Sequence, residues 1–151
     1  MTDASSLAMP SGASCAFCAY LDGTRPFTTW FKNDLVAGLV TREQRGIAHV
    51  LILPVKHRES ILDVTDAESQ ALMVGIRRAA RAIDWAEHRP GIAVWQNNGL
   101  PAHQTIPHLH FHVAGTLPGQ ATNWGDVREL ALSETDVIAE KLRRAEIEHS
   151  T

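Results

Sequence analysis

Histidine occupies positions 108, 110 and 112, alternating with Leu109, Phe111 and Val113. In an extended strand successive side chains point to opposite faces. The spacing predicts one face carrying His108, His110 and His112, and another delivering the apolar residues to a core. Three neighbouring imidazoles leave much polar surface to satisfy, which packing alone does not reward. Such a row suits a metal site, a nucleophile with helpers, or both. Cys15 and Cys18, the two cysteines of the chain, form a C-x-x-C pair. In a reducing compartment that spacing points to metal binding or thiol redox chemistry before a structural disulfide. A thioredoxin-like site needs a strand before the pair, and here a small polar leader precedes it. Two thiolates leave two positions open in a closed zinc site. His49, His57, His88, His103 and the three alternating histidines are the candidates, although His88 suits the C-terminal end of a helix.

The rest of the sequence supplies elements to hold these residues. Residues 28–31 and 35–40 read as a hairpin across Lys32, Asn33 and Asp34. Residues 49–53 are an apolar run ended by Pro54, as in a buried strand. The clearest helix is 63–87, with a capping box at Thr65 and Glu68 and a stop at Pro90-Gly91. Leu72, Met73, Ile76, Ala80 and Ile83 form its apolar stripe. Residues 92–96 predict a third core strand, 97–101 a turn, 106–115 the histidine strand and 127–144 a terminal helix, with Ser133 and Asp136 as start signals. This order predicts an α+β fold, a largely antiparallel sheet packed by one long helix and a C-terminal helix.

At 151 residues, 44% hydrophobic and 21% charged, the chain has the size and composition of one soluble domain. A net charge of −3 argues against a general nucleic-acid or membrane-surface binder. An anionic ligand would need local positive groups, and the histidines can supply part of them. No apolar run is long enough to span a membrane. Residues 1–14 lack the basic and apolar regions of a signal peptide and read as a disordered leader to a domain over 15–151. A cytoplasmic protein is expected.

Five segments together resemble the histidine-triad (HIT) superfamily, in its Hint-like bacterial branch. They are the row at 108–113, the Cys15/Cys18 pair, the stretch from His49 through Pro54 to His57, Gln96-Asn97-Asn98-Gly99, and Gln104-Thr105 before the triad. The likeness spans about residues 15–115 and implies the HIT-like fold. It implies a structural zinc held by Cys15, Cys18, His57 and His108, a closed set that ties the N-terminal loop to the sheet. In that family the middle histidine is the nucleophile, which here assigns His110 to attack an α-phosphorus. The nucleotidyl-histidine so formed is resolved by water. A backbone carbonyl holds the other ring nitrogen protonated. His112 would stabilise the non-bridging phosphate oxygens, and Thr105 stands where relatives carry a serine near the leaving group. Asn97 and Gln104 match positions that contact phosphate and ribose, and His49 matches a histidine lining the site. The implied substrates are nucleoside phosphoramidates, acyl-nucleotides or dinucleoside polyphosphates, cleaved to a nucleoside monophosphate. The implied assembly is a homodimer.

The chain departs from the family pattern at three places. Relatives usually bind ribose hydroxyls with an acidic residue near Val40 and Thr41, where Thr41 offers a single hydroxyl. His103 stands where relatives often have glycine; an imidazole there narrows the leaving-group side, adds a phosphate contact, or is simply solvated. Trp124 falls in a segment that gives some relatives a tryptophan from the partner chain, but packing on the terminal helix is its plainer reading. Two other classes stay open. One is a hydrolase with all three triad histidines on a catalytic zinc, which leaves the cysteines without a role. The other is a module that binds a nucleotide or nucleotide-like metabolite, or a protein, with little turnover.

Overall fold

In this computed structural model, residues 5–11 and 14–150 are described. Thr29–Lys32 (β1) and Val36–Val40 (β2) form the expected hairpin, with Asn33 Oδ1 accepting from the N–H groups of Leu35 and Val36 in the turn. Ile47–Pro54 (β3), Ile92–Trp95 (β4) and Phe111–Gly115 (β5) complete a sheet of order β1-β2-β3-β5-β4, antiparallel at every pairing. Ala16–Asp22 (α1) lies toward one face, and Asp66–Glu87 (α2) and Leu132–His149 (α3) pack on the other. The α+β architecture expected from the element order is the one observed.

The capping box of α2 forms as the sequence predicts: Thr65 Oγ1 accepts from Glu68 N–H, and Glu68 Oε1 accepts from Thr65 N–H. The same buried carboxylate takes Nε and Nη2 of Arg58, all at 3.0–3.1 Å. The start of the helix is thereby tied to the segment after β3. Leu72, Gly75, Ile76, Ala79, Ala82 and Ile83 form its buried face. Met73, expected in the stripe, is 61% exposed, because the stripe is centred on the small residues 75, 79 and 82. Gly75 lets the helix approach the sheet: a β-carbon there would lie 3.0 Å from Ile52 Cγ2. Val50, Ile52, Leu109 and Val113 receive this face, each buried aliphatic contributing about 1.5–3 kcal/mol. Leu51 and Leu53 alternate to the other side and join Phe17 and Leu39 beneath α1.

Three expectations are corrected. The C-x-x-C pair opens a helix: Cys15 is the N-cap of α1, its Sγ accepting from Cys18 N–H, and Gly23 closes it at φ 82. The terminal helix begins at Leu132 and not at 127, because residues 127–130 run back along the β2–β3 turn. There Leu130 N–H donates to Arg42 O at 2.8 Å and Arg42 Nε donates to Leu130 O at 2.7 Å. The histidine strand begins at Phe111, so only His112 of the triad lies within it. His108 and His110 occupy its lead-in, anchored by Leu109 N–H donating to Arg58 O at 2.7 Å. Of the expected leader, residues 1–4 and 12–13 lie outside the described residues, and Ala8 O accepts from Leu100 N–H at 2.7 Å. No helix among the described residues is long and apolar enough to cross a membrane.

Candidate active site and metal cluster

A bulge positions His49. β3 uses three steps from Ile47 to Val50 where β5 uses two from Gly115 to Val113. Ala48 absorbs the extra residue at φ 58. Gln44 replaces the missing ladder partner: its Oε1 accepts from His49 N–H and its Nε2 donates to His49 O, both at 2.8 Å. His49 is thus held, 1% exposed, with its Nε2 3.0 Å from His112 Nδ1.

Cys15, Cys18, His57 and His108 bring four donor atoms within 4.8 Å of one another. Cys15 Sγ and His108 Nδ1 are 3.3 Å apart, Cys18 Sγ and His57 Nδ1 3.3 Å, and Cys18 Sγ and His108 Nδ1 3.6 Å. Tetrahedral zinc at ordinary Zn–S and Zn–N lengths sets its ligands about 3.3–3.8 Å apart, so the cluster fits such an ion. His108 Nε2–H donates to Pro54 O at 2.8 Å, which leaves Nδ1 as the ligand atom. Burial, then the Cys15 thiol and Asp22, push the Cys18 thiol up to about 11. A bound cation must therefore displace a proton. The triad imidazoles form no such group among the described residues, which counts against a three-histidine metal site.

Backbone groups of fixed polarity settle which ring nitrogens carry protons. Arg45 N–H can only donate, so His49 Nδ1 accepts from it at 3.1 Å and the proton sits on Nε2. His49 Nε2–H then donates to His112 Nδ1, and His112 keeps its own N–H on Nε2. His108 O can only accept, so His110 Nδ1–H donates to it at 2.8 Å and Nε2 retains a bare lone pair. Burial, ahead of the nearby Arg45 and His110 charges, holds His49 down to about 3. Burial, then His110 and His49, holds His112 down to about 2. His110 is also held below the ordinary imidazole range by burial, against the opposing pull of the His108 carbonyl. All three rings are neutral near pH 7. Trp95 stacks on His112 with centroids 4.7 Å apart, and Phe17 meets His110 edge-on at 4.9 Å. A lone pair on one ring beside an N–H on the next can attack an electrophilic centre and stabilise the oxyanion that develops there.

His110 and His112 open into a cleft of two lobes, with Thr105 and Glu43 also bordering both. The aromatic lobe, about 250 Å³, has Phe17, Tyr20, Phe27, Leu51 and Ile106 in its walls, with Thr41, Arg42 and Glu129 at its edge. The polar lobe, about 530 Å³, is lined by Arg45, Trp95, Asn97, His103, Gln104 and Trp124. Of the sequence candidates, His88 ends α2 away from the site, His49 stands behind His112, and the others reach the cleft or the metal cluster. Gln104, 2% exposed, has its amide engaged within its own loop: Oε1 accepts from Gly99 N–H, and Nε2 donates to Glu59 O and Ile106 O. Sequence reasoning missed Glu43, Arg45, Trp95 and the aromatic wall of Phe17, Tyr20 and Phe27. Glu43 follows Thr41 by two residues, so the acidic group sought at the strand end stands instead in the turn beyond it. Trp124 does not pack on α3. It is 67% exposed at the cleft mouth, 5.3 Å from Trp95, on a loop that Arg45 Nη1 clips through Asn123 O and Gly125 O.

Residues 24–119 match the HIT domain. The chain belongs to the HIT family. This HIT protein is 28% identical over 109 residues to an adenosine 5′-monophosphoramidase of Candida albicans, covering 70% of this chain and 72% of the relative. Its fold matches a HIT-like protein from Bartonella henselae with TM-score 0.81 at 22% identity, over 90% of this chain and 98% of that one. A zinc-bound histidine triad family protein from Mycobacterium smegmatis matches with TM-score 0.78 at 23% identity, over 91% and 98%. At such identities the solved structures establish the fold alone.

Proposed function

We propose that this HIT protein is a nucleotidyl hydrolase or transferase acting at the α-phosphorus of nucleoside phosphoramidates or related nucleotide conjugates. The observation that carries the reading is the bare Nε2 of His110 beside the Nε2–H of His112, at the junction of an aromatic-walled lobe and a polar lobe. The flat aromatic walls of the first lobe suit a base, with Glu43 and Thr41 near the ribose and Asn97 near the phosphate. His110 Nε2 attacks phosphorus as the bond to the leaving group breaks. His112 Nε2–H donates to a non-bridging oxygen, and the Thr105 hydroxyl contacts the departing atom. Water then attacks phosphorus, the P–Nε2 bond breaks, and a nucleoside monophosphate leaves. Cys15, Cys18, His57 and His108 would hold a structural zinc that fastens α1 to the lead-in carrying His110; four protein ligands leave no open position for chemistry. The phosphoramidase relative supports the substrate class. A homodimer working in the cytoplasm completes the reading.

The test is turnover of adenosine 5′-phosphoramidate with intact-mass analysis of rapidly quenched enzyme. AMP release with a transient adenylyl adduct, absent in His110→Ala, is the expected result. Bound nucleotide with neither AMP nor adduct would replace the hydrolase by a binding module.

A further inference from the structure

His103 stands in the polar lobe with Thr105, Trp95 and Trp124. It ends the short 3₁₀ turn Leu100–Ala102, its N–H donating to Leu100 O at 2.9 Å. Its backbone is left-handed at φ 69, where a β-carbon carries a steric cost that glycine avoids. The loop is fixed on its far side by the buried amide of Gln104. Among the described residues no hydrogen bond, ion pair or ring contact engages the His103 imidazole. The backbone that carries this exposed, uncontacted imidazole is therefore held at a set place on the cleft wall.

The two lobes assign the two ends of a substrate, given the reading above. In-line displacement sets the leaving group opposite the nucleophile. With the base against Phe17, Tyr20 and Phe27, the leaving group falls in the polar lobe. An amine cannot depart from phosphorus as an anion, so it must gain a proton as the P–N bond breaks. A nitrophenolate needs none. Few groups in that lobe can supply the proton. The Arg45 guanidinium is a fixed charge engaged by Glu43 at 3.6 Å and by the carbonyls of Asn123 and Gly125. Asn97, Gln104, Trp95 and Trp124 carry only amides and indoles, and the Thr105 hydroxyl can hydrogen-bond the departing atom but is too weak an acid to surrender its proton. His110 and His112 are committed to attack and to the oxyanion. An imidazole is the side chain suited to proton transfer near neutral pH.

We propose that His103 is the general acid for the leaving group and makes the site selective for P–N over activated P–O substrates. In the first step the His110 Nε2–P bond forms, the P–N bond breaks, and its electron pair takes the proton of the His103 imidazolium as the amine departs. In the second step water attacks phosphorus and gives its proton to the neutral His103 imidazole. The P–Nε2 bond breaks and its pair returns to His110.

The test compares adenosine 5′-phosphoramidate with the 4-nitrophenyl ester of AMP in wild type, His103→Gly and His103→Gln. Glycine suits the left-handed backbone, and glutamine keeps hydrogen bonding without a transferable proton. In both variants kcat/KM should fall about 10²-fold on the phosphoramidate and less than about threefold on the ester. Equal losses on the two substrates, no loss, or recovery of the phosphoramidate rate in His103→Gln would overturn the assignment while wild-type turnover keeps the hydrolase reading. A wild type inactive on both substrates would overturn that reading and the assignment with it.

Discussion

His108 and His110 carry the same side chain two residues apart, yet one faces a metal cluster and the other a substrate cleft. The difference lies in which ring nitrogen the backbone engages. His108 Nε2–H donates to Pro54 O, so Nδ1 faces the two thiols. His110 Nδ1–H donates to the carbonyl of His108, so Nε2 faces the cleft. His112, two residues further on, accepts a hydrogen bond at Nδ1 from His49 and presents an N–H instead of a lone pair. On the proposed reading, one repeated residue supplies a ligand, a nucleophile and a donor, set by two carbonyl acceptors and one N–H donor. The first ring also serves the second, since the residue that faces the metal cluster offers the carbonyl that fixes the nucleophile.

Removing each ring should break this division in a different observable. His112→Ala should lower kcat by about 10²–10³-fold, the usual cost of losing one oxyanion donor; steady-state kinetics would show it, and a change below tenfold would deny His112 that role. Cys15→Ser should leave the cleft chemistry intact but lower zinc content and stability. A loss of about 3 kcal/mol, or roughly 10 °C in Tm, is expected, and unchanged metal analysis and melting would exclude the structural metal. His49→Gln, acting only through His112, should lower kcat by about tenfold with KM nearly unchanged. A KM effect without a kcat effect would place His49 in binding.

A further effect concerns acid. His49 and His112 have folded values of about 3 and about 2, far below an unfolded imidazole near 6.5. The unfolded chain then binds more protons between those limits. The stability that these buried neutral rings contribute is fully present above about pH 6.5 and is lost as pH falls toward 3. The slope is up to about 1.4 kcal/mol per pH unit for each ring. Denaturant midpoints measured between pH 7.5 and 5 should fall, and His49→Gln should flatten the slope. A flat wild-type profile would show that the rings are not buried neutral.

The parts of this arrangement legible in the sequence are those written in local pattern. Alternation delivered Leu109 and Val113 to the core, the Thr65–Glu68 box set the start of α2, and the five segments announced the family. The parts that were not legible depend on distant partners. The start of α3 was misplaced because residues 127–130 are claimed by Arg42, far away in sequence. The histidine strand was read too long because Arg58, and not a neighbouring strand, anchors Leu109. Glu43 lies beyond the end of β2, and only the turn brings its carboxylate to the cleft. Seven residues of α1 were too few for a helical period to register, although the C-x-x-C pair and Gly23 bracket them.

The most direct test of the division among the histidines is nitrogen-resolved NMR of ¹⁵N-labelled imidazoles at pH 7.5, assigned with His49→Gln and His112→Ala. A neutral His110 protonated at Nδ1, with His49 and His112 protonated at Nε2, is the expected result. A His110 protonated at Nε2, or on both nitrogens, would leave no lone pair facing the cleft and would contradict the account.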